Sequence, residues 1–290
     1  MSTNTRSRTI NETRDRLNHM KELECSAYKR PLRVIEPFNG QWRKLIIEWM
    51  FSITHYCGLR HGAVAAAVYY LDASVEKGLI KSRQDYQVAA MTAFHLGLKV
   101  YDSPSIRMIR LESLVKLGSG GFGEKEVLEM EGKMLFALEW RMNPPTASCF
   151  LSQYLDLLPT HNMQPHVRTK IELTALRLIE RTMSTDYFSL MESSLLAHAA
   201  LLLALDTMPP NKLDVELVGN FFIDLAQVTY VERDSHSLCR SILLLDCIAN
   251  GQPVPWHELD DCTGKKAGQT KSWEQAYAGP QHSPRGYDLQ

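Results

Sequence analysis

No helix can run through Asn143-Pro144-Pro145. Two successive prolines remove two backbone donors and push the residue before them out of the α region. Helical periodicity fills the chain on both sides of this break. Before it, five helices are predicted over 41–55, 60–76, 85–99, 105–117 and 124–138. Gly58 and Gly78 close the first two. After it, five more are predicted over 146–157, 167–181, 189–205, 213–227 and 232–249. In each set the third helix is the most apolar, with Val88, Met91, Phe94, Leu96 and Leu98 in one and 195–205 in the other. This is the pattern of a buried central helix. The matching order predicts a structural repeat. Strand alternation is absent, so the expected class is all-α.

The expected units are 1–36, 37–143, 144–250 and 251–290. The first reads as a flexible polar segment, with a candidate helix over 11–28. The last reads as a disordered tail punctuated by Pro253, Pro255, Pro280 and Pro284. The apolar run 195–205 is too short for a bilayer, which needs about 20 residues, and no secretory signal opens the chain. A net charge of −1 provides no global attraction to nucleic acid or anionic membrane. Six scattered cysteines without a Cys-x-x-Cys pair indicate reduced thiols rather than a disulfide framework or zinc ribbon. His55, Cys57 and His61 have no second ligand pair at finger spacing, so no metal site is expected.

Within 41–55, Trp42, Leu45, Ile46, Trp49 and Ile53 recur at helical spacing. Aliphatics are the usual occupants of such a stripe. Tryptophans framing it suit a partly open groove that receives apolar side chains of another protein.

This segment, with Arg43 and Trp49, also resembles the opening helix of the cyclin box. Further matches follow in order. Tyr69-Tyr70-Leu71-Asp72 is similar to the family's second-helix motif. Lys81-Ser82-Arg83 and Gln87-Val88-Ala89-Ala90 are similar to the start of its third helix. Leu98-Lys99-Val100-Tyr101-Asp102 stands where cyclins have Ser-Lys-x-x-Glu. Glu129-Met130-Glu131 and Leu138-Glu139-Trp140 resemble the helix that closes the first box. In the second half only Phe150-Leu151-x-x-Tyr154 and Ser194-Leu195-Leu196-Ala197 match. Trp42, Glu48, Gly97 and Asp102 depart from common family residues. The Trp-bearing helix and Gln87 favour a cell-cycle member over a transcriptional one. The pairs Arg43-Lys44 and Trp49-Met50, with Lys81-Ser82-Arg83, resemble the D-type group, but its Leu-x-Cys-x-Glu motif is missing.

The resemblance implies a double cyclin fold of two five-helix repeats and a regulatory subunit of a cyclin-dependent kinase, without catalysis or cofactor of its own. It implies that Lys99 and Glu131 pair and meet the kinase backbone near its mobile C-helix. It implies an internal ion pair between Arg43 and Asp72. It also implies that Trp42, Leu45, Ile46 and Trp49, with Arg83 and Gln87, receive Arg-x-Leu segments of substrates and inhibitors. Gln87 and Lys99 are twelve residues apart, so they lie about 120° apart around their helix and serve different faces. Location in nucleus and cytoplasm is expected.

Three other features carry less. Gly118-Ser119-Gly120-Gly121-Phe122-Gly123 resembles a kinase glycine loop, but no Val-Ala-Ile-Lys, His-Arg-Asp or Asp-Phe-Gly follows. A cyclin-fold transcription factor would bring a zinc ribbon and a basic face, and neither is present. A scaffold without kinase binding would not need Lys99 and Glu131. Arg14-x-x-Leu17 matches the core of a destruction signal read by ubiquitin-ligase machinery, and Ser283-Pro284 is a minimal phosphorylation site.

Overall fold

The computed structural model describes residues 3–29, 40–101, 110–118, 121–158, 163–185, 191–209, 215–229, 231 and 235–252. Eleven helices and no strands occur among them. They are α1 (Thr3–Cys25), α2 (Gly40–Cys57), α3 (Gly62–Glu76), α4 (Arg83–Tyr101), α5 (Leu111–Leu117) and α6 (Glu124–Ala137). After the proline break come α7 (Ala147–Leu157), α8 (Pro165–Met183), α9 (Ser193–Asp206), α10 (Val215–Thr229) and α11 (His236–Asn250). Five helices thus precede the break after α1, and five follow it.

Local chemistry sets the ends. Gly58 and Gly78 take φ of +65° and +70°. The next amides reach back, Leu59 to the Thr54 carbonyl and Leu79 to that of Ser74, as in a left-handed cap that only glycine adopts cheaply. At the start of α4, Asp85 accepts the Lys81 and Ser82 amides while the Ser82 hydroxyl accepts that of Asp85. This reciprocal box satisfies donors that the first turn leaves free. Of the predicted helix 105–117, the described part is α5, and 102–109 lie outside the described residues. Residues 253–290, most of the segment read as a tail, also lie outside them.

α4 is the centre of the first repeat, buried from Val88 to Leu98, and α9 is the centre of the second. The α3–α4 crossing is very close. A Cβ on Gly97 would stand 2.4 Å from the Ala63 carbonyl oxygen. Alanine-rich α3 and the bare Cα of Gly97 together permit this approach, which accounts for one departure from the family pattern.

α1 overlaps the candidate helix over 11–28 and begins earlier. It is helical over Thr3–Cys25 and packs on α7 and α10 of the second repeat. Thr13 and Leu17 are buried. Glu24 Oε1 accepts the Ser194 amide at 3.2 Å, placing a carboxylate at the start of α9 where the dipole favours it. Because Leu17 is buried within this helix, Arg14-x-x-Leu17 is not presented as an extended segment.

The proline linker is held by three tyrosines. Tyr28 accepts the Asn143 amide, Tyr70 donates to the Met142 carbonyl, and Tyr101 donates to that of Pro144. Burial pushes the Tyr70 and Tyr101 hydroxyls far above the usual phenol range. They are therefore permanent donors.

Candidate functional site

The first repeat carries two candidate sites, one at each end of α4. The first lies at its C-terminal end. Lys99, in the last turn, sends its ammonium to both carboxylate oxygens of Glu131 on α6, at 2.6 and 2.7 Å. A cation here also suits the helix dipole. Lys99 is the open member of the pair, 37% exposed against 16% for Glu131. Beneath them, His95 is buried one turn before Lys99, with Nδ1 3.5 Å from Glu131 Oε2. Burial, then Lys99, lowers the imidazole pKa below its usual value, with Glu131 opposing. His95 is therefore neutral near pH 7.

Glu131 borders an apolar face that the core does not use. Val127, Met130 and Met134 point inward. Leu128, Gly132 and Phe136 follow one another at four-residue spacing on the outside, and half-buried Leu135 beside them packs on the core. Phe136 is 83% exposed, and Trp140 just beyond α6 is 71% exposed. Glu139 and Trp140 both have positive φ, 53° and 60°, a conformation that costs non-glycine residues about 1–2 kcal/mol each. The chain accepts this strain as it turns into the linker, and the indole points to solvent. Leu128 and Phe136 carry no motif in the sequence. The inner stripe of α6 accounted for its periodicity, and Leu128 and Phe136 were the available sign of a second one.

The second site lies where α2 meets the start of α4. The stripe of Trp42, Leu45, Ile46 and Trp49 is partly open, and Ile53 at its far end is buried. The fully buried line of α2 is Arg43, Ile47, Met50 and Thr54, about one residue further round. Trp42, Ile46 and Trp49 are therefore half-buried, and Leu45 is 57% exposed. Arg43 explains the rotation, because its ion pair must face inward. The Arg83 guanidinium stacks 4.6 Å over the Trp42 ring, and Trp49 meets Phe94 edge-on at 5.7 Å. Gln87 is exposed one turn after Arg83. The outcome is an aromatic shelf with a cation at one end.

Arg43 also does more than the sequence suggested. Its guanidinium binds Asp72 bidentately, Nη2 at 2.9 Å and Nε at 3.3 Å. Nη1 donates to the carbonyls of Met183 at 2.5 Å and Thr185 at 3.2 Å. One side chain thereby ties α2, α3 and the end of α8. His61 pairs with Glu180 of α8 across the same junction. Among the described residues no group of three or more His, Cys, Asp or Glu is placed to hold a metal. No described helix is long and apolar enough to cross a membrane.

Residues 15–143 match the cyclin N-terminal domain family, a segment that contains both sites. The match takes in a little under half of the chain, and the relatives to which the chain is similar include proteins named as mitotic and A-type cyclins. The chain is 26% identical over 196 residues to a G2/mitotic-specific cyclin-1 of Medicago sativa subsp. varia, covering 67% of this chain and 43% of that protein. It is 26% identical over 204 residues to Cyclin-A1-2 of Arabidopsis thaliana, covering 68% and 44%. A Cyclin-B2-1 of Oryza sativa subsp. japonica matches at 26% over 117 residues, covering 40% and 27%. The chain spans less than half the length of these relatives.

Proposed function

We propose that this protein is a regulatory subunit that docks on the C-helix region of a cyclin-dependent protein kinase and activates it. The observation that carries this reading is the apolar face of Leu128 and Phe136 left open beside the Lys99–Glu131 pair. An apolar patch rimmed by a charged pair is the makeup of a docking surface, with an anchor at the centre and backbone-seeking groups at the edge. Lys99 and Glu131 offer a donor and an acceptor to the kinase main chain. Docking favours the kinase conformer whose C-helix glutamate reaches its phosphate-binding lysine, and so completes the ATP site by population shift. The subunit itself performs no bond-making step.

Phe136→Asp tests this. The side chain is almost wholly exposed, so the thermal midpoint is expected to stay within about 2 °C. Affinity for a purified cyclin-dependent kinase is expected to fall about tenfold or more, because a charge enters a buried contact. Wild-type affinity in Phe136→Asp would mean that the kinase does not use this face.

The aromatic shelf of Trp42, Ile46 and Trp49, with Leu45, Arg83 and Gln87, is assigned to docking of Arg-x-Leu segments of substrates and inhibitors. Leu45→Asp is expected to reduce phosphorylation of proteins carrying such a segment by about tenfold. Phosphorylation of short peptides lacking it should be unchanged. Equal effects on both substrate types would remove the assignment.

A further inference from the structure

We infer that His95 is a positioning residue for the kinase-docking pair, an inference that rests on the docking role proposed for Lys99 and Glu131. His95 and Lys99 are four residues apart on α4 and lie on the same face, opposite α6. The imidazole is buried, and Nδ1 has no hydrogen bond of its own in the free protein. Buried polar nitrogens are rarely left so, since they forfeit their bonds to water. The polar group facing it is the Glu131 carboxylate, with Oε2 at 3.5 Å. That gap is at the outer limit of a hydrogen bond, while the Lys99 ammonium holds both carboxylate oxygens at 2.6 and 2.7 Å.

The cluster is thus asymmetric. Lys99 closes it from the solvent side and His95 from the core side. A neutral imidazole carries one ring proton. Facing a carboxylate, that proton belongs on Nδ1, since a lone pair there would oppose the anion. Docking asks Lys99 to turn from Glu131 toward a carbonyl of the kinase. The carboxylate then loses its ammonium at the moment when its direction matters most. The Nδ1–H of His95 takes up Oε2, and Oε1 stays aimed outward at a kinase amide. Without that donor the glutamate is free to leave its docking rotamer.

The charged groups facing the imidazole are Lys99 of α4 and Glu131 of α6, so the effect of His95 should run through Glu131. The test measures affinity for a purified mitotic cyclin-dependent kinase catalytic subunit with the full chain. The variants are His95→Leu, His95→Asn and His95→Gln, each alone and combined with Glu131→Gln, with thermal midpoints recorded throughout. His95→Leu is expected to bind about tenfold more weakly, the worth of one hydrogen bond to a charged group. His95→Asn places its amide nitrogen where Nδ1 stood and should bind within about threefold of wild type. His95→Gln carries its amide one bond further and should resemble His95→Leu.

In the Glu131→Gln background the three substitutions should add no further loss. Wild-type affinity in folded His95→Leu would overturn the inference, and so would an undiminished loss in that background. If His95→Leu does not fold, the contrast between asparagine and glutamine decides. Equal affinity in those two would overturn it. Lys99→Ala/Glu131→Ala serves as the reference. Tight binding by that double variant would sink the docking role and this inference with it. Weak binding by it alongside wild-type affinity in His95→Leu and His95→Gln would sink the role of His95 alone.

Discussion

Arg43→Ala is expected to destabilise the protein by about 3–5 kcal/mol, the cost of stranding one partner of a buried pair. Both side chains are nearly sealed, 3% exposed for Arg43 and 6% for Asp72. Truncation leaves a buried carboxylate without its cation and takes the guanidinium donor from the carbonyls of Met183 and Thr185. At about 2–4 °C per kcal/mol for a domain of this size, the thermal midpoint should fall by about 10 °C. Arg43→Lys should recover only part of this, because one ammonium cannot span a carboxylate on one side and two carbonyls on the other. The loss should also appear as faster amide exchange at the α2–α8 junction, where this contact joins the two repeats. An unchanged melting curve for Arg43→Ala would show that the network contributes nothing.

How far the sequence discloses this molecule depends on where each signal resides. Helices α2 to α4 and α6 to α11 announce themselves through apolar periodicity, glycine stops and the Pro144-Pro145 break. Those are local properties, and the structure follows them to within a few residues. α1 was harder to read because the face it buries mixes Thr13 and Glu24 with Leu17. Such a face resembles solvated polar chain until a carboxylate is seen accepting the Ser194 amide of α9.

The rotation of α2 was hidden for a related reason. Apolar counting places Leu45 inward and Arg43 outward, whereas a cation with Asp72 and two carbonyls waiting inside reverses the order. The partners of Arg43 lie 140 and 142 residues away as main-chain oxygens, which no side-chain motif reveals. Lys99 and Glu131 became visible through resemblance, and their geometry is a direct contact. His95 carries no local signal, being one polar residue in an apolar helix. Its significance depends on which side chain α6 sets opposite it.

The largest functional effect is expected from removing the charged pair itself. Lys99→Ala/Glu131→Ala deletes a donor and an acceptor at the rim of the apolar face without opening the core, because Lys99 is part-exposed and Glu131 lies at the edge of α6. Exposed and half-exposed ion pairs contribute only about 0–1 kcal/mol to folding, so the double variant should fold normally. Two lost hydrogen bonds from charged groups, each contributing about 1.5–3 kcal/mol, are together expected to weaken binding about a hundredfold or more.

The measurement that bears most directly on the proposed function is phosphorylation by a purified cyclin-dependent kinase catalytic subunit mixed with this protein, wild type against Lys99→Ala/Glu131→Ala at matched folding. The wild type should raise kinase activity to saturation. The double variant should need about a hundredfold more protein to do so. Equal activation by the two proteins, or none by the wild type with any kinase of the class, would contradict the proposed role of this face.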